Sequence, residues 1–587
     1  MRILQPALPV GFPIREVERM RGKWGIEVII GALLVLCLIQ SVAATATVVV
    51  AAADASQTSK ETAQVFCDGV DDQIEINNAF NMLPAEGGIV QLTEGTFHSS
   101  GWIYPTANSQ FLGAGEDKTT IDVYNAVDPY QPIHIYQDNV LVKGFTLRGE
   151  GFFLIRTNHV TLQDITATSI GANGIRYPSG GNGMFFIWVD NDHTGEITFQ
   201  NCKAIDCNTH GFNMNANRST MQDGTRVGSG SYAISNLKFI NCQAVRCGFG
   251  VPDGSSSEFA TGFDIQEDND LQNVEMDNCL AEDNWENGFH FEPGYLNTKN
   301  VVLNNCVSRN NGQRNPAQAP YHDVFVSGYY IHRNAILNNC ISVNNKNAGF
   351  FVHDGLNTTF NNCVDQGSTY GFKIVKGCAD ITLNNCQARN DKGWALWSAF
   401  TKNLQVKNFF QANAAGESGY QDNLGYYYSQ PQYELPVEGS SFDITAYGSS
   451  LPIINKDGSG NTYSLKTASA DQLPTMPADI IAATVPPVYV TGSVVAVSTT
   501  PVTIVATTTP VATATPVVTQ VSTSSDPWSS IGKGTGFSSG GFGTFGGASA
   551  FQSGGLNKLQ VTTSTSSFRA TAIGSSWGGF GGRSYAF

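Results

Sequence analysis

The chain has 587 residues and a formal net charge of −16. Its 33 Lys and Arg residues form no basic stripe, which argues against nucleic-acid binding, and the length suits one large solenoid with tails. At the N-terminus Arg15, Arg19, Arg21 and Lys23 precede an apolar run from Val28 to Ile39 and the small residues Ala43, Ala44 and Ala46, the pattern of an export signal. The run is too short to cross a bilayer, yet apolar character resumes through Ala53. Residues 1–46 therefore read either as a signal peptide cleaved near Ala44 or Ala46, or as an uncleaved membrane anchor. Both place the protein outside the cell or on its surface.

Thr47 to Ala53 suits a first strand. Next, Val65-Phe66-Cys67-Asp68-Gly69-Val70-Asp71-Asp72-Gln73-Ile74-Glu75-Ile76 predicts a helix capped by Asp71 or Asp72, with Ile74, Ala79 and Phe80 on its apolar face. Such a helix is expected to cover the open end of a stack. Gly87 to Leu92 and Glu94 to Phe97 follow as strands.

Between Val140 and Gln411 one phrase recurs: two apolar residues spaced by one, a turn-forming residue, then usually Cys and a small side chain. Copies begin at Val140, Val160, Ile197, Leu237, Val274, Val301, Ala335, Thr358, Ile381 and Leu404, and the last three steps are 23 residues each. Longer steps read as the same unit with loop insertions, which cost little closure entropy. The apolar residues alternate as in a strand with one buried face, but the parity changes after the turn residue, so the strand must turn a corner there. That corner is held by Gly144, Asp164, Asn201, Asn241, Asn278, Asn305, Asn339, Asn362, Asn385 and Asn408, residue types that tolerate left-handed backbone. Gly plus an aromatic then opens a third strand at Gly211-Phe212, Gly288-Phe289, Gly349-Phe350, Gly371-Phe372 and Gly393-Trp394.

Three short strands per coil, joined by corners too tight for helices, describe a right-handed parallel β-helix. At these residues, and in the lead-in segment, the chain resembles the pectin-lyase-like β-helix repeat proteins. The resemblance spans about residues 46 to 430 and implies an all-β solenoid of about ten or more coils with an N-terminal helical cap. The expected organisation is signal or anchor (1–46), lead-in and cap (47–100), β-helix (101–430), C-terminal cap region (431–485), stalk (486–525) and tail (526–587). The fold itself hosts lyases, hydrolases, phage spikes and surface proteins, so it leaves activity open.

Cys202, Cys242, Cys279, Cys306, Cys340, Cys363 and Cys386 occupy one position on successive coils. Neighbours in such a column stand ~4.8 Å apart, farther than the ~3.8 Å between the β-carbons of a disulfide. They are expected as stacked, buried thiols. Cys207 and Cys247 form a second pair that could be oxidised.

Alternate residues of the third strand are expected to face solvent in two columns. One runs Asn213, Asp264, His290, Phe325, Phe351, Lys373 and the other Asn215, Gln266, Glu292, Ser327, His353, Val375. Insertions at roughly 216–236, 248–261 and 310–322 are expected to wall this face into a groove, and in the resembled family a polysaccharide lies there. On this register Asp264 neighbours His290 and lies about 8 Å from Glu292, a spacing that suits an inverting carboxylate pair. Asp264, Glu292 and His290 are thus the candidate catalytic residues, with Asn213, Asn215, Trp285, Phe325, Phe351 and His353 as candidate sugar contacts. Glu267, Asp268 and Asp270 offer oxygen ligands for Ca²⁺. Asn217 and Asn357 head glycosylation sequons.

Beyond residue 485 a Thr/Val/Pro-rich stretch reads as an extended stalk, and from Asp526 a Gly/Ser/aromatic tail reads as adhesive or disordered. The partners expected are a polysaccharide or surface glycan, with self-association or attachment to the cell envelope through the tail. The leading expectation is a glycan-binding or structural surface protein. The rivals are a glycoside hydrolase or Ca²⁺-dependent polysaccharide lyase working in the groove, and a phage-type spike, against which the export signal counts.

Overall fold

The computed structural model describes residues 45–124, 133–177, 183–189, 195–216, 221–222, 225–226, 233–249, 260–265, 270–292, 298–313, 326–413, 437–448 and 458–474. The signal segment up to residue 44, the stalk and the tail lie outside these residues. What is described is a right-handed parallel β-helix, with a 25-stranded sheet that bends at corners and an 11-stranded sheet. Each coil pairs with the next in register: Val160 with Ile197, Ile197 with Leu237, Leu237 with Val274, Val274 with Val301, and Val301 with Ala335. Pairing begins at Thr47–Ala51 and runs to Thr462–Thr467, so stacked strands continue into both end segments.

The ten corner residues all have positive φ, from 51° at Asp164 to 76° at Gly144. Two further corner columns share this backbone and escaped the sequence pattern. Asp206, Arg246, Asp283, Asn310, Asn344 and Asn390 lie at φ of 52–55°, and Asn236, Asn273, Asn300, Asn334, Asn357, Asp380 and Asn403 at 51–60°. The carboxamides stack as ladders: Asn362 Nδ2 donates to Asn339 Oδ1 at 3.1 Å, Asn385 to Asn362 at 3.3 Å and Asn408 to Asn385 at 2.9 Å. Asn357, in the third column, donates to Asn334 Oδ1 at 3.1 Å.

Inside the coil, Phe212, Phe263, Phe289, Tyr329, Phe350 and Phe372 form a stack with centroids 4.7–4.9 Å apart and nearly parallel rings. The preceding glycines leave no room for a side chain. A Cβ on Gly288 would lie 2.3 Å from Ser308 Oγ and 2.7 Å from the Gly328 carbonyl. In the last such coil the register differs from expectation: Leu396, not Trp394, pairs with Phe372. The seven column cysteines are buried and free, each thiol facing a carbonyl of the preceding coil, as Cys306 Sγ does with Met276 O at 3.4 Å. Cys207 and Cys247 are free as well.

Two helices, α1 (Gln57–Thr62) and α2 (Gln73–Asn81), belong to the lead-in segment. Asp72 is the residue before α2 but does not cap it through its side chain; it accepts instead from the backbone N–H of Gly69 at 2.9 Å and of His98 at 2.7 Å. Asp72 thus ties the segment to a strand of the coil. The apolar face of α2 is Ile76, Ala79 and Phe80, whereas Ile74, expected there, is 54% exposed.

A second buried ladder runs along one inner corner, where Asn284 Nδ2 donates to Asn311 Oδ1 at 2.8 Å and Asn311 to Asn345 Oδ1 at 3.0 Å. One and two coils on, this environment holds two acids, Asp365 and Asp391, both buried and facing each other. Burial raises Asp365 to about 6, and burial with the Asp365 charge raises Asp391 well above the carboxylate range. The folded state therefore keeps a proton that the unfolded chain releases above pH ~4. Stability from this pair is greatest in acid and falls as pH rises through 6 and beyond.

Two outcomes follow. Asp365→Asn, which keeps the acceptor for Ser368 Oγ (2.8 Å), raises stability at pH 8 by about 1–3 kcal/mol and changes little at pH 4, by denaturant unfolding at both pH values. Asn362→Ala costs about 1–2 kcal/mol by the same measurement because alanine resists the left-handed corner, and Asn362→Gly recovers part of that loss.

Candidate functional site

The outer face of the 11-stranded sheet carries the ionisable groups, and its register is set by the inward aromatic stack. Because Phe212, Phe263, Phe289 and Tyr329 are aligned, the next residues Asn213, Asp264, His290 and Tyr330 are aligned too. Phe351 and Lys373 continue the column. Phe325 was expected at the place that Tyr330 occupies and itself falls outside the described residues. The second column is corrected likewise. Ser327 pairs with Ala348, and His332, which follows Ile331, stands beside Glu292.

This face is not open to solvent as expected. Asn213 is 3% exposed, Asp264 7%, His353 1% and Phe351 0%. Tyr330, Phe351, Val375 and Trp397 form an apolar cluster of their own outside the coil. Lys373 lies among them, its Nζ 4.3 Å from the Phe351 ring centroid and 5.6 Å from that of Trp397, and burial holds its pKa well below the usual range.

Asp264, His290 and Glu292 come together. His290 Nδ1 is 3.3 Å from Asp264 Oδ1, and its Nε2 is 3.7 Å from Glu292 Oε1. The imidazole therefore stands between the two carboxylates, in the space where an inverting pair would hold water. His332 Nε2 reaches the same Glu292 oxygen at 3.3 Å. Asn213 Nδ2 donates to Asp264 Oδ2 at 2.6 Å, and His210 Nε2 lies 3.7 Å from that oxygen. His210 Nδ1 accepts from the Thr261 backbone N–H at 3.0 Å, which assigns its proton to Nε2, facing Asp264. Tyr330 sits edge-on to His290 at 4.7 Å, and its hydroxyl is 3.3 Å from His353 Nδ1.

The histidines are pushed apart. Burial, with the nearby His290 charge, lowers His210 to about 3, so it is neutral. Burial alone would lower His290 as well, but the nearby Glu292 carboxylate, with Asp264 and Glu286, raises it to about 9. Burial opposes ionisation of Glu292, yet His332 and His290 outweigh it and hold that carboxylate well below its usual range. Burial and Lys376 lower His353. The site thus stores an imidazolium between two acids, beside a neutral imidazole.

Other expected contacts fall elsewhere. Trp285 lies on the turn before the His290 strand, edge-on to Phe249 at 5.5 Å. Asn215 pairs with Trp188 in the backbone register, and its side chain lies outside what is described. Asn217, Glu267, Asp268 and most of the three insertions are also outside the described residues, and Asp270 is described only as the start of a strand. Among the described residues, Cys67, Asp72 and Glu75 bring ligand atoms within 4.8 Å of one another, and burial with Asp72 raises the Cys67 thiol.

A family described as "Right handed beta helix region" matches residues 227–388. No curated protein matches the chain. Among solved structures, the chain is similar to the Azotobacter vinelandii mannuronan C-5 epimerase AlgE6 A-module, at 14% identity and TM-score 0.40 over 68% of this chain and 96% of that one. It is also similar to the bacteriophage Phi29 gene product 12 N-terminal fragment (13%, TM-score 0.41, 68% and 69%) and to the catalytic domain of a GH87 alpha-1,3-glucanase (12%, TM-score 0.38, 67% and 66%). Likenesses this distant carry no argument about activity.

Titration of the histidine ring signals by NMR is expected to find His290 protonated until pH about 9 and His210 neutral down to pH about 3. Asp264→Asn lowers the His290 midpoint. Because the His290 pKa is raised from 6.5, its ion-pair stabilisation is complete below pH 6.5 and lost as pH rises through about 9. His290→Gln leaves two acids facing each other and lowers stability at pH 7 by about 3 kcal/mol.

Proposed function

We propose that this is an exported or cell-surface β-helix protein that engages a glycan on the outer face of the 11-stranded sheet, with Asp264, His290 and Glu292 as an acid–base centre acting on it. One observation carries this reading: the imidazolium of His290 is held between two carboxylates by contacts of 3.3 and 3.7 Å. A display surface can scatter its acids, whereas proton transfer needs them convergent. His290, kept protonated at neutral pH, can donate to a substrate oxygen, and Glu292, kept anionic, can take a proton back. Asn213 and His210 orient Asp264. The stalk and tail would hold the coil at the surface, and Ca²⁺, if used, would come through the acidic run at Glu267, Asp268 and Asp270.

A second reading is glycan binding without turnover. It is favoured by the His290 ring filling the gap between the carboxylates and by the burial of the surrounding face.

The discriminating experiment follows new reducing ends and absorbance at about 235 nm, the signature of unsaturated products, on acidic and neutral polysaccharides with and without Ca²⁺. Turnover is expected to fall at least a hundredfold in Asp264→Asn and Glu292→Gln and to decline as pH rises through about 9. Reducing ends alone indicate hydrolysis, and absorbance indicates elimination. Binding without product in the wild type leaves the second reading standing.

A further inference from the structure

Away from the acid–base centre, at the N-terminal end of the same outer face, four rings gather on two adjacent coils. Ile103 and Ile133 form a parallel bridge and are fully buried, so their neighbours Trp102, Tyr104 and His134 project outward. Tyr136, 46% exposed, follows the same alternation. Trp102 and Tyr104 are 5.6 Å apart, His134 lies 5.7 Å from Trp102 and 6.0 Å from Tyr104, and Tyr136 lies 5.9 Å from Tyr104 and 5.1 Å from His134.

The platform is fixed before any ligand arrives. Asn77 of α2 donates to the Trp102 carbonyl at 2.7 Å and accepts from the Tyr104 N–H at 2.9 Å, clamping the backbone that carries both rings. Tyr104 and Tyr136 open onto a cleft of about 410 Å³, shared with Asn81, Thr106 and Gln137. Among the described residues that line the cleft, none is charged.

We propose that Trp102, Tyr104, His134 and Tyr136 form a second binding site, for a sugar ring of an uncharged polysaccharide. A pyranose offers a C–H face that stacks on aromatic rings and an equatorial rim of hydroxyls that amides can bond, which is the pairing this cleft provides. Among the described residues that line the cleft an acidic glycan would find no cation, Arg156 standing one strand beyond Tyr136, and it would approach a chain of net charge −16. The site is separate from the acid–base centre. The column from His134 passes Leu154, Phe186 and Asn213 before reaching Asp264. Four strand spacings make that roughly 19 Å, and Leu154, Phe186 and Trp188 are buried in between. The proposal rests on the glycan class named above but not on turnover.

The test uses the full-length protein, affinity electrophoresis in gels containing neutral or acidic polysaccharides, and Trp102→Ala, Tyr136→Ala, Tyr136→Trp and Asp264→Asn, each checked for an unchanged unfolding midpoint. Trp102→Ala and Tyr136→Ala are each expected to weaken retention by a neutral polysaccharide about tenfold, and Tyr136→Trp to preserve it. Asp264→Asn retains binding while losing turnover if the acid–base reading is right. Should wild type be retained only by acidic polysaccharides, or should the alanine variants be retained as wild type is, the platform is structural and the proposal falls, whatever Asp264→Asn does. Platform-dependent binding with full turnover in Asp264→Asn upholds the second site and overturns the acid–base centre.

Discussion

The structure depends on a backbone corner that most residues refuse. Most coils turn through left-handed backbone at three places, and Asn fills most of them because its short carboxamide tolerates that region and can bond to its counterpart one coil away. A single amide bond is worth only about 0.5–1.5 kcal/mol net. Repeated along the stack, these bonds fix which residue of one coil lies above which residue of the next. A slip of one residue would turn the inward aromatic stack out to solvent.

That constraint is what assembles the candidate site. Asp264 comes from a strand separated in sequence by a loop-bearing stretch from the one that carries His290 and leads into Glu292, and the three make no local motif. They meet because Phe263 and Phe289 stack at 4.9 Å inside the coil and carry their outward neighbours into contact. The electrostatics follow from the packing. In open water these acids and imidazoles would titrate near their ordinary values. Partial burial in a row of alternating sign separates His210 from His290 by several pH units, although both touch Asp264.

Most of the coil was legible in the sequence because its signals are local: an alternation, a corner residue, a cysteine, a glycine before an aromatic. The alignment of Asn213, Asp264 and His290 could be read because each follows such a glycine–aromatic pair. Tyr330 and His332 were missed although Gly328-Tyr329 carries the same signal, since the insertion before it drew the alignment to Phe325. His210 carried no signal of its own beyond preceding the Gly211-Phe212 pair, because its contact with Asp264 crosses 54 positions between coils at the sheet face. The burial of the outer face could not be read at all. Polar residues at alternate positions look solvated whatever packs over them, and the partners of Lys373 and Phe351 come from other coils. The paired acids Asp365 and Asp391 were hidden for the same reason.

The spacing of the coils carries a further consequence. The three uniform steps of 23 residues, from Ala335 to Leu404, begin beyond His332, whereas the insertions at roughly 216–236, 248–261 and 310–322 lie before it. A whole coil added or lost among the uniform repeats would leave each neighbour with an equivalent neighbour, and the ladders would close over the change. The same event between His210 and His332 would part an acid from its imidazole. Length and chemistry can therefore vary independently in this molecule: one end of the stack can be lengthened as a spacer while the other keeps its residues in fixed order.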